Sequence, residues 1–192
     1  MTLELTPVTR GEGSRFENRV PPGPDGKPIL SKVFLAAIEE GVGDAATRGP
    51  LLGYPVEDIE TVLTDAAMSD TDSSESSFRA AASMGFMEAL EEAGPALLEP
   101  FMAVEVVGPE DFTGTVVSDL NGRRGRVMGM EPAPGGNAQV VRAEVPLAEM
   151  VGYATALRSA TQGRASYTMQ FSHYAEVPRD LQASIVTKLR GY

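Results

Sequence analysis

Three arginines, Arg123, Arg124 and Arg126, lie close together in a segment that is interrupted by glycines. A guanidinium stays charged at neutral pH and donates several coplanar hydrogen bonds, a geometry that suits phosphate and carboxylate groups. This pattern predicts a contact with RNA or with a protein partner. The alternative, equally open from the sequence, is an internal salt bridge, for example to Glu131 or Asp119.

Two further arginines belong to the same prediction. Arg158 and Arg164 flank the short segment 161–163, and we expect them to extend the cationic surface of the first three arginines.

Nucleophilic catalysis is not supported by the residue types of this chain. It has one histidine, His173, and no cysteine, so a catalytic triad or a Cys/His pair would have to be built around that histidine. We interpret His173 as a structural residue near the end of a strand, and we expect no enzyme chemistry from this chain.

Two patterns point weakly to metal or phosphate binding. Asp65, Asp70, Asp72 and Glu75 form a dense acidic patch that is a candidate Mg²⁺ site, but a helix cap beside a solvated loop is the simpler interpretation. The glycines of segment 133–137 join two predicted strands, and no Gly-Lys-Ser/Thr follows, which favours a hairpin. We therefore expect no cofactor and no metal in this chain.

The negative charge of the chain is concentrated in its first half. Residues 1–98 have a net charge of −10, from 7 Lys and Arg against 17 Asp and Glu, whereas residues 99–192 have −1, from 9 against 10. A general RNA-binding surface is normally basic, so the first half is not expected to be one. The chain has no apolar run of membrane-spanning length, and we expect a cytoplasmic monomer without a membrane partner.

The first half predicts a sheet covered by two helices. Segments 2–7, 14–19 and 56–63 are predicted strands, and the proline- and glycine-rich stretch 21–28 is a predicted loop. Ser31 caps the first helix, and Asp72 or Ser73 caps the second, where Asp72 and Glu75 fit a capping box. The apolar residues recur on one face of each helix: Phe34, Ala37, Ile38 and Val42, then Phe78, Ala82, Phe86 and Leu90.

The second half, after a boundary at Gly94, Pro95 and Pro100, predicts strands and helices in the order βαββαβ with a terminal helix. The predicted strands are 103–107, 125–130, 139–145 and 165–174. Helices are predicted from Pro109, over 147–159, and from Pro178. This order is that of a ferredoxin-like split βαβ domain. The predicted inward positions are Phe112, Val116 and Leu120, then Leu147, Met150, Ala154 and Leu157, and finally Leu181, Ile185 and Leu189.

Several segments resemble, in order, the last two domains of the ribosomal translocase elongation factor G. They are Asp-Ser-Ser-Glu at 72–75, Leu-Glu-Pro at 98–100, Asp-Leu-Asn-Gly-Arg-Arg-Gly at 119–125, Val-Pro-Leu-Ala-Glu-Met-Val-Gly-Tyr-Ala-Thr-Ala-Leu-Arg-Ser at 145–159 and Thr-Gln-Gly-Arg-Ala-Ser-Tyr-Thr-Met at 161–169. The resemblance covers nearly the whole chain from about Phe16.

The resemblance implies an α+β protein of two domains. Residues 1–96 would be an arm that is similar to the second domain of ribosomal protein S5, and residues 99–192 a ferredoxin-like domain. The arm tip would enter the decoding site beside transfer RNA and messenger RNA. The second domain would contact ribosomal RNA of the GTPase-associated centre and the stalk-base protein. GTP and Mg²⁺ would be bound elsewhere in such a protein, whose GTPase and middle domains are not represented in this sequence.

Two loops form the arm tip in this family, and both depart from the family pattern here. In the first, the family's Gly-Gly-Val-Ile-Pro is replaced by a longer segment that contains Pro24, Asp25, Gly26 and Lys27. In the second, the candidate contacts are Met68, Ser69 and Asp70, and Ser69 stands where the family has a histidine. A serine hydroxyl cannot be cationic or stack on a base, so tight engagement of the transfer RNA–messenger duplex is not assured.

The resemblance favours GTP-driven translocation of transfer RNA and messenger RNA as the function of the whole protein. One alternative is a paralogue that acts in ribosome recycling. Another is a free-standing interaction module that regulates ribosomes without nucleotide.

Overall fold

The computed structural model describes residues 1–69, 71 and 73–191. The chain forms two compact units, one comprising Met1–Pro95 and the segment that begins at Asp180, the other comprising Ala96–Arg179. Each unit has one sheet and its own core. The predicted α+β class with two sheet-containing domains is therefore confirmed.

The first unit has a three-stranded sheet in the order β1-β3-β2. These strands are β1 (Thr2–Pro7), β2 (Arg15–Asn18) and β3 (Ile59–Asp65). β3 lies in the centre, antiparallel to β1 and parallel to β2. The third strand was predicted at 56–63 but begins later, because Asp58 has a left-handed backbone (φ 59°) that interrupts an extended run.

Two helices, α1 (Lys32–Ala46) and α2 (Glu75–Ala93), supply most of the core of the first unit. Ser31 caps α1, as predicted, and its hydroxyl accepts from the amide of Phe34 at 3.2 Å. The predicted cap of α2 was wrong, because the cap is Ser74, which forms a capping box with Ser77. Asp72, half of the predicted box, lies outside the described residues. The predicted inward face of α2 is confirmed, since its four members are buried: Phe78, Ala82, Phe86 and Leu90.

The second unit has a four-stranded antiparallel sheet in the order β5-β6-β4-β7. Its strands are β4 (Leu98–Gly108), β5 (Arg126–Pro132), β6 (Gln139–Pro146) and β7 (Ser166–Glu176). The central pair and the two outer strands have the arrangement of a ferredoxin-like sheet, which confirms the predicted topology. β4 is longer than predicted because its first residues continue to pair with β7, where Leu98 lies opposite Glu176.

Both helices of the second unit begin with a short 3-10 turn. Glu110–Phe112 precedes α3 (Thr113–Gly122), and Leu147–Met150 precedes α4 (Tyr153–Ala160). The helix predicted over 147–159 is therefore interrupted, because Gly152 has a left-handed backbone (φ 75°). In consequence Leu147 is 40 % exposed rather than part of the core, whereas Tyr153 is fully buried.

The last helix, α5 (Arg179–Arg190), groups with the first unit, although the sequence placed it in the second domain. Two side chains hold it there. Gln182 donates to the carbonyl of Pro95 at 3.3 Å, and Arg190 donates to the carbonyls of Pro50 (2.9 Å) and Leu51 (2.8 Å). Leu189, predicted to face inward, is 61 % exposed.

Candidate nucleic-acid interface

The two predicted tip loops lie at the same edge of the first sheet. The first tip loop (residues 19–31) follows β2, and the second tip loop (residues 66–74) follows β3. β2 and β3 are parallel, with Asn18 opposite Leu63, and the amide of Arg19 donates to the carbonyl of Leu63 at 2.8 Å. Because the carboxyl ends of parallel strands meet at one edge, the fold brings these two candidate segments together.

The first tip loop is closed by its own backbone. The amide of Gly23 donates to the carbonyl of Lys27 at 2.8 Å. The amide of Gly26 (φ 75°) donates to the carbonyl of Gly23 at 2.9 Å. Between them lie Pro24 and Asp25, whose carboxylate accepts from the amide of Lys27 at 3.1 Å. The Lys27 side chain is 80 % exposed and its ammonium lies 3.7 Å from Asp25, so this cation remains available to a partner.

The second tip loop is held by hydroxyl groups. The amide of Ser69 donates to Ser73 Oγ at 2.9 Å, and Ser69 Oγ lies 3.1 Å from Thr71 Oγ1. The hydroxyl and the amide of Ser69 therefore both have partners within their own loop. Met68 is 43 % exposed beside it, and Asp70 lies outside the described residues.

The arginine turn (Arg123–Arg126) follows α3, and its first two guanidiniums are engaged internally. Arg123 Nε donates to Asp119 Oδ2 at 3.0 Å, and its Nη1 donates to the carbonyl of Glu149 at 2.7 Å. Arg124 Nη2 donates to Glu99 Oε1 at 2.6 Å, and its Nε lies 3.2 Å from Glu149 Oε1. Of the two internal partners that the sequence suggested, Asp119 is confirmed. Glu131 is wrong, since it accepts from Arg142 instead.

Arg126 differs from its two neighbours. It is exposed at the start of β5, where Glu144 lies opposite on β6, and it makes no ion pair with any residue that the structure describes. It is therefore the member of the arginine turn whose guanidinium is available to an external anion.

Arg158 and Arg164 lie at the other end of the α3–α4 helix pair from the arginine turn. The prediction that they extend its cationic surface was therefore wrong. Arg123, after α3, lies over the ring of Tyr153 at the start of α4, with 5.0 Å from Cζ to the ring centroid. Arg164, after α4, lies 4.5 Å over the ring of Phe112, before α3. The antiparallel helices thus separate two cationic regions.

The structure supports a structural interpretation of His173. Its Nδ1 lies 3.0 Å from Ser172 Oγ and 3.7 Å from Glu144 Oε1, and its ring stacks on Phe101 with 5.4 Å between centroids. Among residues 1–69, 71 and 73–191, no group of three His, Cys, Asp or Glu is placed to hold a metal ion. The candidate Mg²⁺ patch includes Asp70 and Asp72, which lie outside those ranges.

Sequence reasoning missed a carboxylate that shapes the first unit. Asp58 accepts from the amides of Gly11 and Gly13, both at 3.0 Å, and so ties the β1–β2 loop to the start of β3. These backbone hydrogen bonds lower the pKa of the Asp58 carboxyl below its ordinary value. No local motif could have revealed the contact, because the partners are 45 and 47 residues away in the sequence.

Two family models match the chain consecutively. The model of elongation factor G, domain IV matches residues 1–94, and the model of the elongation factor G C-terminus matches residues 96–185. The chain belongs to the elongation factor G family. The junction between the two matched regions coincides with the boundary of the two compact units at Pro95. These regions are parts of a translation elongation factor in protein biosynthesis, and neither is its GTPase domain.

A solved relative agrees with this assignment. A crystal structure from Thermus thermophilus is 38% identical to this chain and superposes with a TM-score of 0.79. The match covers 99% of this elongation factor G chain but 27% of the Thermus chain, so the present chain spans about a quarter of that relative. In the part of the chain that the structure describes, no helix has the length and apolar character needed to cross a membrane.

Proposed function

We propose that this chain is the ribosome-contacting, carboxy-terminal part of an elongation factor G-type GTPase that moves transfer RNA and messenger RNA. The observation that carries the proposal is the consecutive match of the chain to domain IV and the C-terminus of that factor. In this proposal the first unit acts as the arm, and its two tip loops reach the decoding site. The second unit contacts the GTPase-associated centre through the ribosomal RNA and the stalk-base protein.

The charges of the described residues support contact at few points rather than over a broad basic surface. Lys27 in the first tip loop is 80 % exposed, and Arg126 has no ion pair among described residues. Arg158 and Arg164 add a separate pair at the far end of the helices. An arm with this much negative charge would be carried to RNA by the rest of the protein, since it would not bind RNA well alone.

We expect GTP and Mg²⁺ to be bound outside this chain. It has no Gly-Lys-Ser/Thr phosphate-binding motif, and the described carboxylates form no metal-binding group. We therefore derive no nucleotide chemistry from this chain. The proposed coupling to GTP hydrolysis would require a GTPase domain in the same protein, and we expect that protein to be a cytoplasmic monomer.

The proposal is tested with a chimaera in which residues 1–192 replace the matching regions of an active translocase. We expect the chimaera to bind ribosomes, to hydrolyse GTP and to move transfer RNA in a single-turnover assay. The unaltered translocase is the reference, and a chimaera with Lys27→Ala and Arg126→Ala should bind more weakly at low salt, with a shallower dependence of affinity on salt. A well-folded chimaera that does not bind ribosomes would contradict the proposal.

A second candidate function, ribosome recycling, is favoured by the second tip loop. Ser69 replaces the family histidine, and its hydroxyl is hydrogen-bonded within the loop rather than presented to a partner. Ribosome binding and GTP hydrolysis without movement of transfer RNA, together with splitting of ribosomes into subunits, would favour this candidate. Restoration of movement by Ser69→His would assign the difference to this one side chain.

A further inference from the structure

Two pairs in the sequence consist of an aspartate or asparagine followed directly by glycine. They are Asp25 with Gly26 in the first tip loop, and Asn121 with Gly122 at the end of α3. The backbone nitrogen of such a glycine can attack the preceding side-chain carbonyl carbon, because glycine has no Cβ that hinders the approach. The product is a five-membered succinimide ring, which forms without an enzyme or a cofactor. Whether each pair reacts therefore depends on what its local backbone allows.

Exposure to solvent does not separate the two pairs. The side chain of Asp25 is 63 % exposed, and Asn121 is exposed as well. A Cβ added at Gly26 or at Gly122 would meet nothing within 4 Å, so neither glycine is crowded. On sequence and exposure alone Asn121 would react first, because an amide carbon is a better electrophile than the carbon of a carboxylate.

The helix holds Asn121 in an unreactive geometry. Ring closure requires the side-chain carbonyl carbon to lie over the nitrogen of the next residue, and a helical backbone turns that nitrogen away. The amide of Arg124 donates to the carbonyl of Asn121 at 3.2 Å, and the amide of Arg123 donates to the carbonyl of Asp119 at 3.1 Å. Reaction at Asn121 would therefore require the last turn of α3 to unwind together with the arginine turn.

The first tip loop restrains Asp25 less. Asp25 lies in a turn between Pro24 and Gly26, outside the helices and strands. Its carboxylate accepts from the amide of Lys27 at 3.1 Å, so the side chain is already folded back over the peptide of Gly26. The nitrogen of Gly26 donates to the carbonyl of Gly23 at 2.9 Å, a bond within the loop that can open without disturbing a helix or a strand.

We propose that Asp25 is a site of spontaneous isomerisation to isoaspartate, and that α3 protects Asn121 from the equivalent deamidation. In the carboxylic acid form of Asp25, the nitrogen of Gly26 bonds to Cγ, and the hydroxyl leaves as water with the amide proton. Water then opens the ring at either carbonyl. Cleavage of the bond from nitrogen to Cγ restores aspartate, and cleavage of the bond from nitrogen to the original backbone carbonyl gives isoaspartate. The mass and the net charge of the chain do not change.

Isoaspartate lengthens the main chain of the first tip loop by one carbon, because the chain then runs through Cγ. The closure of the loop, in which the amide of Gly23 donates to the carbonyl of Lys27 at 2.8 Å, would have to span this extra atom. We expect that hydrogen bond to open and the cation of Lys27 to move. The inference stands apart from the proposed function, because the reaction and the opening of the loop are properties of the free chain.

The first experiment compares the same chemistry at both positions of one chain. Asp25→Asn makes both pairs asparagine-glycine, so that each conversion releases ammonia and raises the mass of its own proteolytic peptide. In the folded chain at neutral pH we expect position 25 to convert at least about tenfold faster than Asn121, because opening the loop costs less than unwinding α3. In urea the two positions should convert at similar rates. Equal rates at the two positions of the folded chain would overturn the inference.

The second experiment follows the unaltered chain by electron-transfer fragmentation, which distinguishes isoaspartate from aspartate at equal mass. We expect isoaspartate at position 25 to accumulate in step with a loss of protection of the Gly23 amide from hydrogen exchange. Asp25→Glu is the control and should show neither change, because its extra methylene would require a less favourable six-membered ring. If the folded chain keeps only aspartate at position 25 while the chain in urea forms isoaspartate, the inference is wrong.

Discussion

The tip loops of the first unit hold their shape with hydroxyl and backbone hydrogen bonds, whereas the arginine turn of the second unit holds its shape with ion pairs. In the tip loops, Gly23 and Ser69 donate or accept within their own loop, and Lys27 points into solvent. In the arginine turn, Arg124 reaches Glu99 across 25 residues of sequence. We therefore expect the removal of a side chain to lower stability less in the tip loops than in the arginine turn.

The difference bears on which residues meet a partner. A cation that is already paired with a nearly buried carboxylate would have to abandon that carboxylate before it could bind phosphate, and breaking such a pair is costly. Lys27 and Arg126 have no comparable commitment. A cluster of arginines that are paired with carboxylates of the same chain is therefore weaker evidence for RNA contact than a single exposed cation without such a pair.

The largest expected effect on stability comes from adding a side chain at a glycine of each region. At Gly125, in the arginine turn, an added Cβ would lie 2.5 Å from the carbonyl oxygen of Leu120 and 2.9 Å from Val145. At Gly26, in the first tip loop, the space is open and only the left-handed backbone (φ 75°) resists a side chain. We expect Gly125→Ala to destabilise its unit by about 3 kcal/mol and Gly26→Ala by about 1 kcal/mol.

Hydrogen exchange of amides in each unit, measured against denaturant, checks both values. Gly129→Ala, also in the second unit but with open space around the added Cβ, is the control and should cost less than Gly125→Ala. Equal costs for Gly125→Ala and Gly26→Ala would break the comparison.

The next effect concerns the ion pairs themselves. Arg124→Ala removes the partner of Glu99 and should destabilise the second unit by about 2 kcal/mol, since both groups are only partly exposed. Arg124 also has a left-handed backbone (φ 58°), a strain that glycine avoids.

Arg124→Gly should therefore cost about 1 kcal/mol less than Arg124→Ala. Urea unfolding that is followed by the signal of the second unit measures the difference. Lys27→Ala is the matched removal of a cation in the tip loop, and it should leave the stability of the first unit nearly unchanged. A cost for Lys27→Ala as large as that for Arg124→Ala would contradict the distinction.

The helices, and the order of strands and helices along the second half, could be predicted because they depend on short-range periodicity. The buried residues of α2 recur every four positions, and Ser31 precedes α1 as a local cap. The interruption at Gly152 was missed because Leu147 and Met150 fit the same periodicity whether or not the helix is continuous.

The contacts of the candidate site could be predicted only in part. Asp119 lies one helical turn before Arg123, so their pairing follows from spacing alone. Glu99 and Arg124 lie on different elements, and their contact depends on how β4 and α3 pack. The grouping of α5 with the first unit depends in the same way on Arg190 and the distant carbonyl of Leu51.

A smaller effect on stability concerns Tyr153, the side chain that packs under Arg123 of the arginine turn. The hydroxyl of Tyr153 is buried and has no hydrogen-bond partner among the described residues, while Arg123 lies over its ring. Removing an unsatisfied buried hydroxyl relieves its desolvation cost, so we expect Tyr153→Phe to stabilise the second unit by about 1 kcal/mol. Tyr167→Phe, on the neighbouring ring, is the control. Destabilisation by Tyr153→Phe would show that the hydroxyl has a partner.

The same tyrosine predicts a dependence on alkaline pH. Burial raises the pKa of Tyr153 to about 12, above its ordinary value of 10.0. The folded state therefore keeps a proton that the unfolded chain releases, and the stability from this group is present below pH 10 and lost between about pH 10 and 12. The second unit should lose stability over this window, and Tyr153→Phe should lose less.

The smallest effect tests whether the first unit also depends on a charged group. Backbone amides of Gly11 and Gly13 lower the pKa of Asp58, so its contribution to stability is present above the ordinary pKa and lost as the pH falls through the folded value. Asparagine tolerates the left-handed backbone of this position (φ 59°) but has one acceptor oxygen instead of two. We expect Asp58→Asn to weaken the first unit slightly at neutral pH and to flatten its acid unfolding curve.

Acid titration of the first unit, followed by hydrogen exchange in the β1–β2 loop, checks this expectation. Asp25→Asn, in the first tip loop, is the matched control, because Asp25 accepts one backbone amide at 3.1 Å within its own loop and joins no distant segments. An acid curve that changes with Asp25→Asn but not with Asp58→Asn would reverse the assignment. The first unit would then depend for its acid stability on the tip loop rather than on the hydrogen bonds that tie the β1–β2 loop to the start of β3.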